Sequence, residues 1–148
     1  MSSKKAKRDE HRFEDADLGG ATFEDVDLAE ATFHNVTLKK ATFDDADASG
    51  ATITNASFAG ATFDDVSWKG ATLKNLDFSG STLQDASLAG ATIRDVDASK
   101  TFWEDVTLAG ATLKDIDLSG VVMEDAKIEG LRINGVRIDE LLRQKASS

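Results

Sequence analysis

The chain has 148 residues, a formal net charge of −10 from 27 acidic against 17 basic residues, and no cysteine. That length suits one domain, and the missing thiols exclude disulfides, cysteine nucleophiles and thiolate metal sites. The acidity argues against direct binding to nucleic acid or to anionic membranes, since both are polyanions.

Residues 1–12, "MSSKKAKRDEHR", carry about +3 and no apolar run. They read as a mobile basic tail, and neither a secretory signal nor a membrane span is expected. A cytoplasmic protein is the expectation.

From Phe13 to Ile138 a large apolar residue returns every fifth position without an insertion: Phe13, Leu18, Phe23, Leu28, Phe33, Leu38, Phe43 and onward. Two residues before each sits a small or branched one, such as Ala21, Val26, Ala31 and Val36. A period of five fits neither the helical 3.6 nor the strand period of 2. It fits a coil that turns a corner every five residues. Two residues after each large position stand Asp, Asn or Gly (Asp25, Asn35, Gly50, Asn55, Gly60). These tolerate the positive φ required at the third position of a type II turn. The reading is therefore a short extended face plus a tight turn in every unit. Proline is absent, which suits stacked coils that need their backbone N–H groups.

The segments "ATFEDVDLAE", "ATLKNLDFSG" and "ATLKDIDLSG" resemble the pentapeptide-repeat family, whose consensus is Ala-(Asp/Asn)-Leu-X-X. Alternate units depart from it, with Thr22, Thr32 and Thr42 where the consensus has Asp or Asn. The resemblance spans 13–138 and implies an all-β fold, a right-handed quadrilateral parallel β-helix with four units per coil. Twenty residues per coil makes about six coils, stacked at about 4.8 Å. Large residues then fill the interior, and Trp68 finds room over the small Ala48.

Residues twenty apart become vertical neighbours. One corner collects Glu24-Asp25, Asp44-Asp45, Asp64-Asp65, Gln84-Asp85, Glu104-Asp105 and Glu124-Asp125, with no base among them. The diagonally opposite corner is mixed: Glu14-Asp15, His34-Asn35, Thr54-Asn55, Lys74-Asn75, Arg94-Asp95 and Lys114-Asp115. Turn geometry accounts for Asp or Asn in either column. It does not account for one column being solely Asp, because stacked like charges repel and Asn would serve the same turns. The charge therefore reads either as solubility or as a ridge for a basic protein surface.

The resemblance adds a candidate partner. Some family members are DNA mimics that bind DNA gyrase or topoisomerase IV, although this chain has no loop inserted in its repeat. The rival reading is a scaffold that recognises partners by shape or by its C-terminal end. A Ca²⁺ ion between the carboxylates is a weaker candidate, because such sites enclose the ion and a convex corner does not. No other metal or cofactor is implied.

At "SKTFWEDVTL", Lys100-Thr101-Phe102 replaces the usual Gly-Ala-Thr. Trp103 keeps the inward register, so Phe102 is expected to point outward beside Glu104 and Asp105. It reads as an anchor for a partner or as a lone surface residue.

Residues 139–148, "DELLRQKASS", leave the repeat. They read as a short C-terminal α-helix with Asp139 as its N-cap, and Leu141 and Leu142 read either as a lid on the last coil or as a homodimer contact. With two histidines, no tyrosine and no concave site implied, the chain does not read as an enzyme.

Overall fold

A computed structural model describes residues 12–147 of the chain. Except for Arg12, the basic tail read from the sequence lies outside the described residues. In chain order the elements are β1 (Arg12–Asp17), β2 (Thr22–Asp27), β3 (Thr32–Thr37), β4 (Thr42–Asp47) and β5 (Thr52–Ser57). Then follow β6 (Thr62–Ser67), β7 (Thr72–Asp77), β8 (Thr82–Gln84), β9 (Thr92–Asp97) and β10 (Phe102–Glu104). The last are β11 (Thr112–Asp117), β12 (Val122–Glu124), β13 (Arg132–Ile133), β14 (Val136–Arg137) and the helix α1 (Ile138–Ser147).

Strands alternate between two sheets. The first has eight strands in the order β1-β3-β5-β7-β9-β11-β13-β14, and the second has six, β12-β10-β8-β6-β4-β2. Pairing is parallel at a step of twenty: Phe13 faces Phe33, Phe23 faces Phe43 and Leu73 faces Ile93. The result is a parallel β-solenoid of about six turns.

The five-residue rule builds the interior. Phe33, Phe43, Ile53, Phe58, Phe63, Trp68 and Leu73 are all buried, with Ala31, Ala41, Ala51 and Ala61 between them. Stacking coils puts like over like. Phe23 and Phe43 lie 4.6 Å apart at 5°, and Phe58 and Phe78 lie 5.0 Å apart at 10°. Such pairs add about 0.5–1.5 kcal/mol each beyond the area they bury. Trp68 is buried in the column of the small Ala48, and Trp103 is buried beside Ala98, the small member of a neighbouring column. Filling is less complete near Trp103. A void of about 20 Å³ remains against Ala98, and the buried indole N–H of Trp103 has no acceptor.

The corners are of two kinds, where the sequence reading had one. At Gly20, Gly60 and Gly80 a backbone bond closes a tight turn, as Ala21 N–H donates to the Leu18 carbonyl at 3.0 Å. The other two columns of corners, at Asp25 and Asn35 and their vertical neighbours, are spanned by the ladder instead. β2 runs through Asp25, with paired residues on both sides of it and φ of +56° at the corner itself. At Asp85 and Asp105 the N–H donates to the next coil, to the carbonyls of Glu104 and Glu124. A left-handed residue inside a strand calls for a side chain that tolerates that region, which Asp and Asn do. Apart from Gly135 near the C-terminal end, the glycines with positive φ stand at the closed corners, where Glu30, Lys40 and Lys100 also adopt positive φ.

The C-terminal end departs from the register. Asn134 (φ +50°) and Gly135 (φ +82°) form a two-residue turn of the I′ kind, folding β14 antiparallel onto β13. Ile138, read as the last repeat position, instead opens α1 and lies against the core, its N–H donating to the Leu131 carbonyl. Asp139 is not an N-cap. Its carboxylate accepts from the Gly130 N–H at 3.0 Å, where a further coil would supply a carbonyl, and takes a two-pronged bond from Arg137 at 2.9 and 2.8 Å. The Leu pair does not cover the coil, since Leu141 and Leu142 are 45% and 52% exposed.

Candidate interaction surface

Ladder pairing assembles the acidic corner level by level. Glu24 faces Asp44, Asp44 faces Asp64, Asp64 faces Gln84, Gln84 faces Glu104 and Glu104 faces Glu124. The following residues, Asp25, Asp45, Asp65, Asp85, Asp105 and Asp125, are the corner itself and are exposed. All carry positive φ. Every residue read as part of the ridge thus lies in one double column.

The surface beside that column is not simply convex, and here the sequence reading needs correction. A shallow groove of about 670 Å³ runs along it. Asp25, Asp45, Asp65, Asp85 and Asp105 form one wall, and Asp27, Asp47, Ser67, Ser87 and Thr107 the other. The second wall was missed. Its signal was in the sequence, in the residue preceding each large apolar position of the next face, where Asp27 and Asp47 recur twenty apart.

The carboxylates on either side of the corner differ in their electrostatics. Asp64, on the strand side of the corner, is pushed above the ordinary carboxylate range, first by partial burial and then by the charges of Asp44, Asp85 and Asp65. Asp47 on the far wall is held below that range, because the Ser49 hydroxyl and N–H both donate to it, at 2.6 and 3.0 Å. Among the described residues no hydrogen-bonding side chain or cation neutralises the corner acids Asp25 to Asp125.

Phe102 is half-buried and does not project freely. It lies on the outer face of the six-stranded sheet, between Thr82 below and Val122 above. Val122 is 48% exposed, so the two make a small apolar step next to Glu104 and Glu124.

The opposite corner is tied vertically. The Asn35 amide donates to Asp15 at 2.6 Å, the Asn75 amide donates to Asn55, and His34 Nδ1 shares a 2.7 Å bond with the Thr54 hydroxyl. A second groove of about 530 Å³ lies there, lined by His34, Thr54, Asn55, Lys74, Asn75 and Asp95. Among the described residues no group of three or more acids or imidazoles is placed to hold a metal ion. None of the described helices is long and apolar enough to cross a membrane.

Two family models match the chain, both described as pentapeptide repeats: one over 28–72, the other over 69–102 and 86–125. No curated protein matches significantly. Among solved structures, a pentapeptide repeat protein from the Arabidopsis thaliana thylakoid lumen is 26% identical, with 70% of this chain and 68% of that one covered, at TM-score 0.41. HetL, a pentapeptide repeat protein involved in heterocyst differentiation regulation in the cyanobacterium Nostoc, is 17% identical over 85% and 89%, at TM-score 0.35. Full-length QnrB1, a plasmid-mediated fluoroquinolone resistance protein, is 19% identical over 90% and 72%, at TM-score 0.40.

Proposed function

Given that the chain belongs to the pentapeptide-repeat family, we propose that it is a non-catalytic interaction module whose acidic corner binds a basic protein surface. The observation that carries this reading is the contrast between the corners. Both need a residue that tolerates positive φ, yet one is amide-bonded and mixed in charge while the other stacks carboxylates that no side chain among the described residues neutralises. Two carboxylates per coil at about 4.8 Å is about one charge per 2.4 Å. That falls between the spacing of a single DNA strand, about 3.4 Å, and of the duplex, about 1.7 Å.

A protein surface built to hold DNA therefore meets a familiar charge density here, and a type II topoisomerase such as DNA gyrase is the partner we put first. The cysteine-free chain suits the reducing cytoplasm, where that partner works. The test is a supercoiling assay with gyrase, comparing the wild type with the combined Asp45→Asn, Asp65→Asn and Asp85→Asn variant. Inhibition or protection by the wild type, reduced at least tenfold in the variant and by raised salt, is the expected result. No effect of the wild type at any concentration removes the topoisomerase partner.

A second reading rests on the other end of the molecule. Val136, Leu141 and Leu142 are large, apolar and about half exposed at the C-terminal end. In that reading the protein is an assembly scaffold joined through this end, as a homodimer or with a partner matched by shape, and the acids serve solubility. Binding that ignores salt but is lost in Leu141→Ser/Leu142→Ser would favour it.

A further inference from the structure

The last coil is finished on one side only. On the side of the eight-stranded sheet, the hairpin β13–β14 continues the ladder, Asp139 satisfies the Gly130 N–H and Ile138 bonds Leu131. On the side of the six-stranded sheet, β12 is the terminal strand.

The unmet groups of β12 can be read from the coils below it. There Phe102 N–H donates to the Ser81 carbonyl, Thr107 N–H to Ala86, and Asp85 N–H to the Glu104 carbonyl. One level up the same roles are filled by Val122 on Thr101, Lys127 on Val106 and Asp105 on Glu124. The next rung would use the carbonyls of Val121 and Ala126 and the N–H of Asp125. Among the described residues none of the three has a hydrogen-bond partner, and α1 packs chiefly on β14.

We infer that β12 is a docking edge for one extended segment of a partner protein, which adds a seventh strand in parallel. The side chains that such a strand meets specify its chemistry. One outward residue lies over Val122 and the Phe102 step, so it is apolar. The next points inward over Met123, which is only partly covered, so it is apolar too. The third lies over Glu124, at the head of the carboxylate column, so it is basic. The basic residue rests on the ridge reading given under the proposed function; the backbone ladder does not.

The experiment uses the full chain and a fluorescein-labelled peptide Ala-Val-Leu-Arg-Asn-Val, followed by fluorescence anisotropy and by amide exchange at Asp125. Expected are saturable binding, slowed exchange of the Asp125 amide, and at least tenfold weaker binding both for a peptide N-methylated at its first valine and for Val122→Lys. Equal binding of the N-methylated peptide overturns the edge and leaves the ridge reading standing. Equal binding of a peptide with Glu in place of Arg keeps the strand addition and overturns its basic specificity, and with it the support drawn from the ridge. Concentration-dependent dimerisation lost in Val122→Lys would make a second copy the occupant and overturn the proposal, as would no binding at millimolar peptide.

Discussion

Two diagonal corners of one coil solve the same backbone problem with different side chains. Asn35, Asn55 and Asn75 sit at positive φ, as do Asp45, Asp65 and Asp85. An amide carries both a donor and an acceptor, so it can bond its vertical neighbour, as Asn75 bonds Asn55. An ionised carboxylate is acceptor only, and a column of them has nothing to exchange. The amide corner thus adds a side-chain ladder to the backbone ladder, while the acidic corner forgoes one and adds repulsion. Stability alone favours the first arrangement at both corners, and the presence of the second is the best reason to look for a partner.

That contrast can be broken most severely by making the corners alike in the costly direction. Asn35→Asp, Asn55→Asp and Asn75→Asp together remove the amide bonds and stack new charges. Urea unfolding should show a loss of about 2–4 kcal/mol, partly restored by salt. The reverse exchange is gentler. Neighbouring charges at coil spacing repel by about 1 kcal/mol per pair in water before screening. Asp45→Asn, Asp65→Asn and Asp85→Asn should therefore raise stability by about 1–2 kcal/mol at low salt and flatten its salt dependence.

A third comparison concerns the closed corners, where Lys100 holds φ of +61° at a position that is glycine in neighbouring coils. Lys100→Gly relieves that strain and should stabilise the fold by about 1 kcal/mol; thermal unfolding would show it.

The smallest effect is on protonation. Asp64 is raised, so its contribution to stability is full below the unfolded carboxylate pKa and is lost as pH rises through the folded value. Asp47 and Asp117 are lowered by their serine partners, so theirs is present above the unfolded pKa and lost as pH falls through the folded one. Asp44→Asn should lower the Asp64 titration midpoint seen by carboxyl NMR, and Ser49→Ala should raise that of Asp47. An unchanged Asp64 midpoint would mean that the Asp44 charge does not contribute to raising it.

Side-chain size carried the register, which is why the interior columns and the acidic corner could be read from a five-residue period. Other features depend on what the backbone does between coils. Gly60 and Asp65 both adopt positive φ, so the shared need for that conformation hid the difference between a closed turn and a corner spanned by the ladder. The groove wall at Asp27 and Asp47 arises from the angle between two faces. At the C-terminal end the signal was present and outweighed: Asn134-Gly135 is a hairpin dipeptide, but Ile133 and Ile138 kept the five-residue spacing and masked it. Leu141 and Leu142 are adjacent, so on a helix they point about 100° apart, and a lid needing both on one side was not available to them.

The twenty-residue step also governs how such a molecule can lengthen or shorten. Deleting one five-residue unit would turn everything downstream by a quarter, moving Asp85 and Asp105 off the side that bears Asp25 and Asp45. Only gain or loss of a whole circuit keeps the negative edge unbroken, so its length is counted in complete circuits and any evolutionary resizing must proceed by duplicating or removing twenty residues at once.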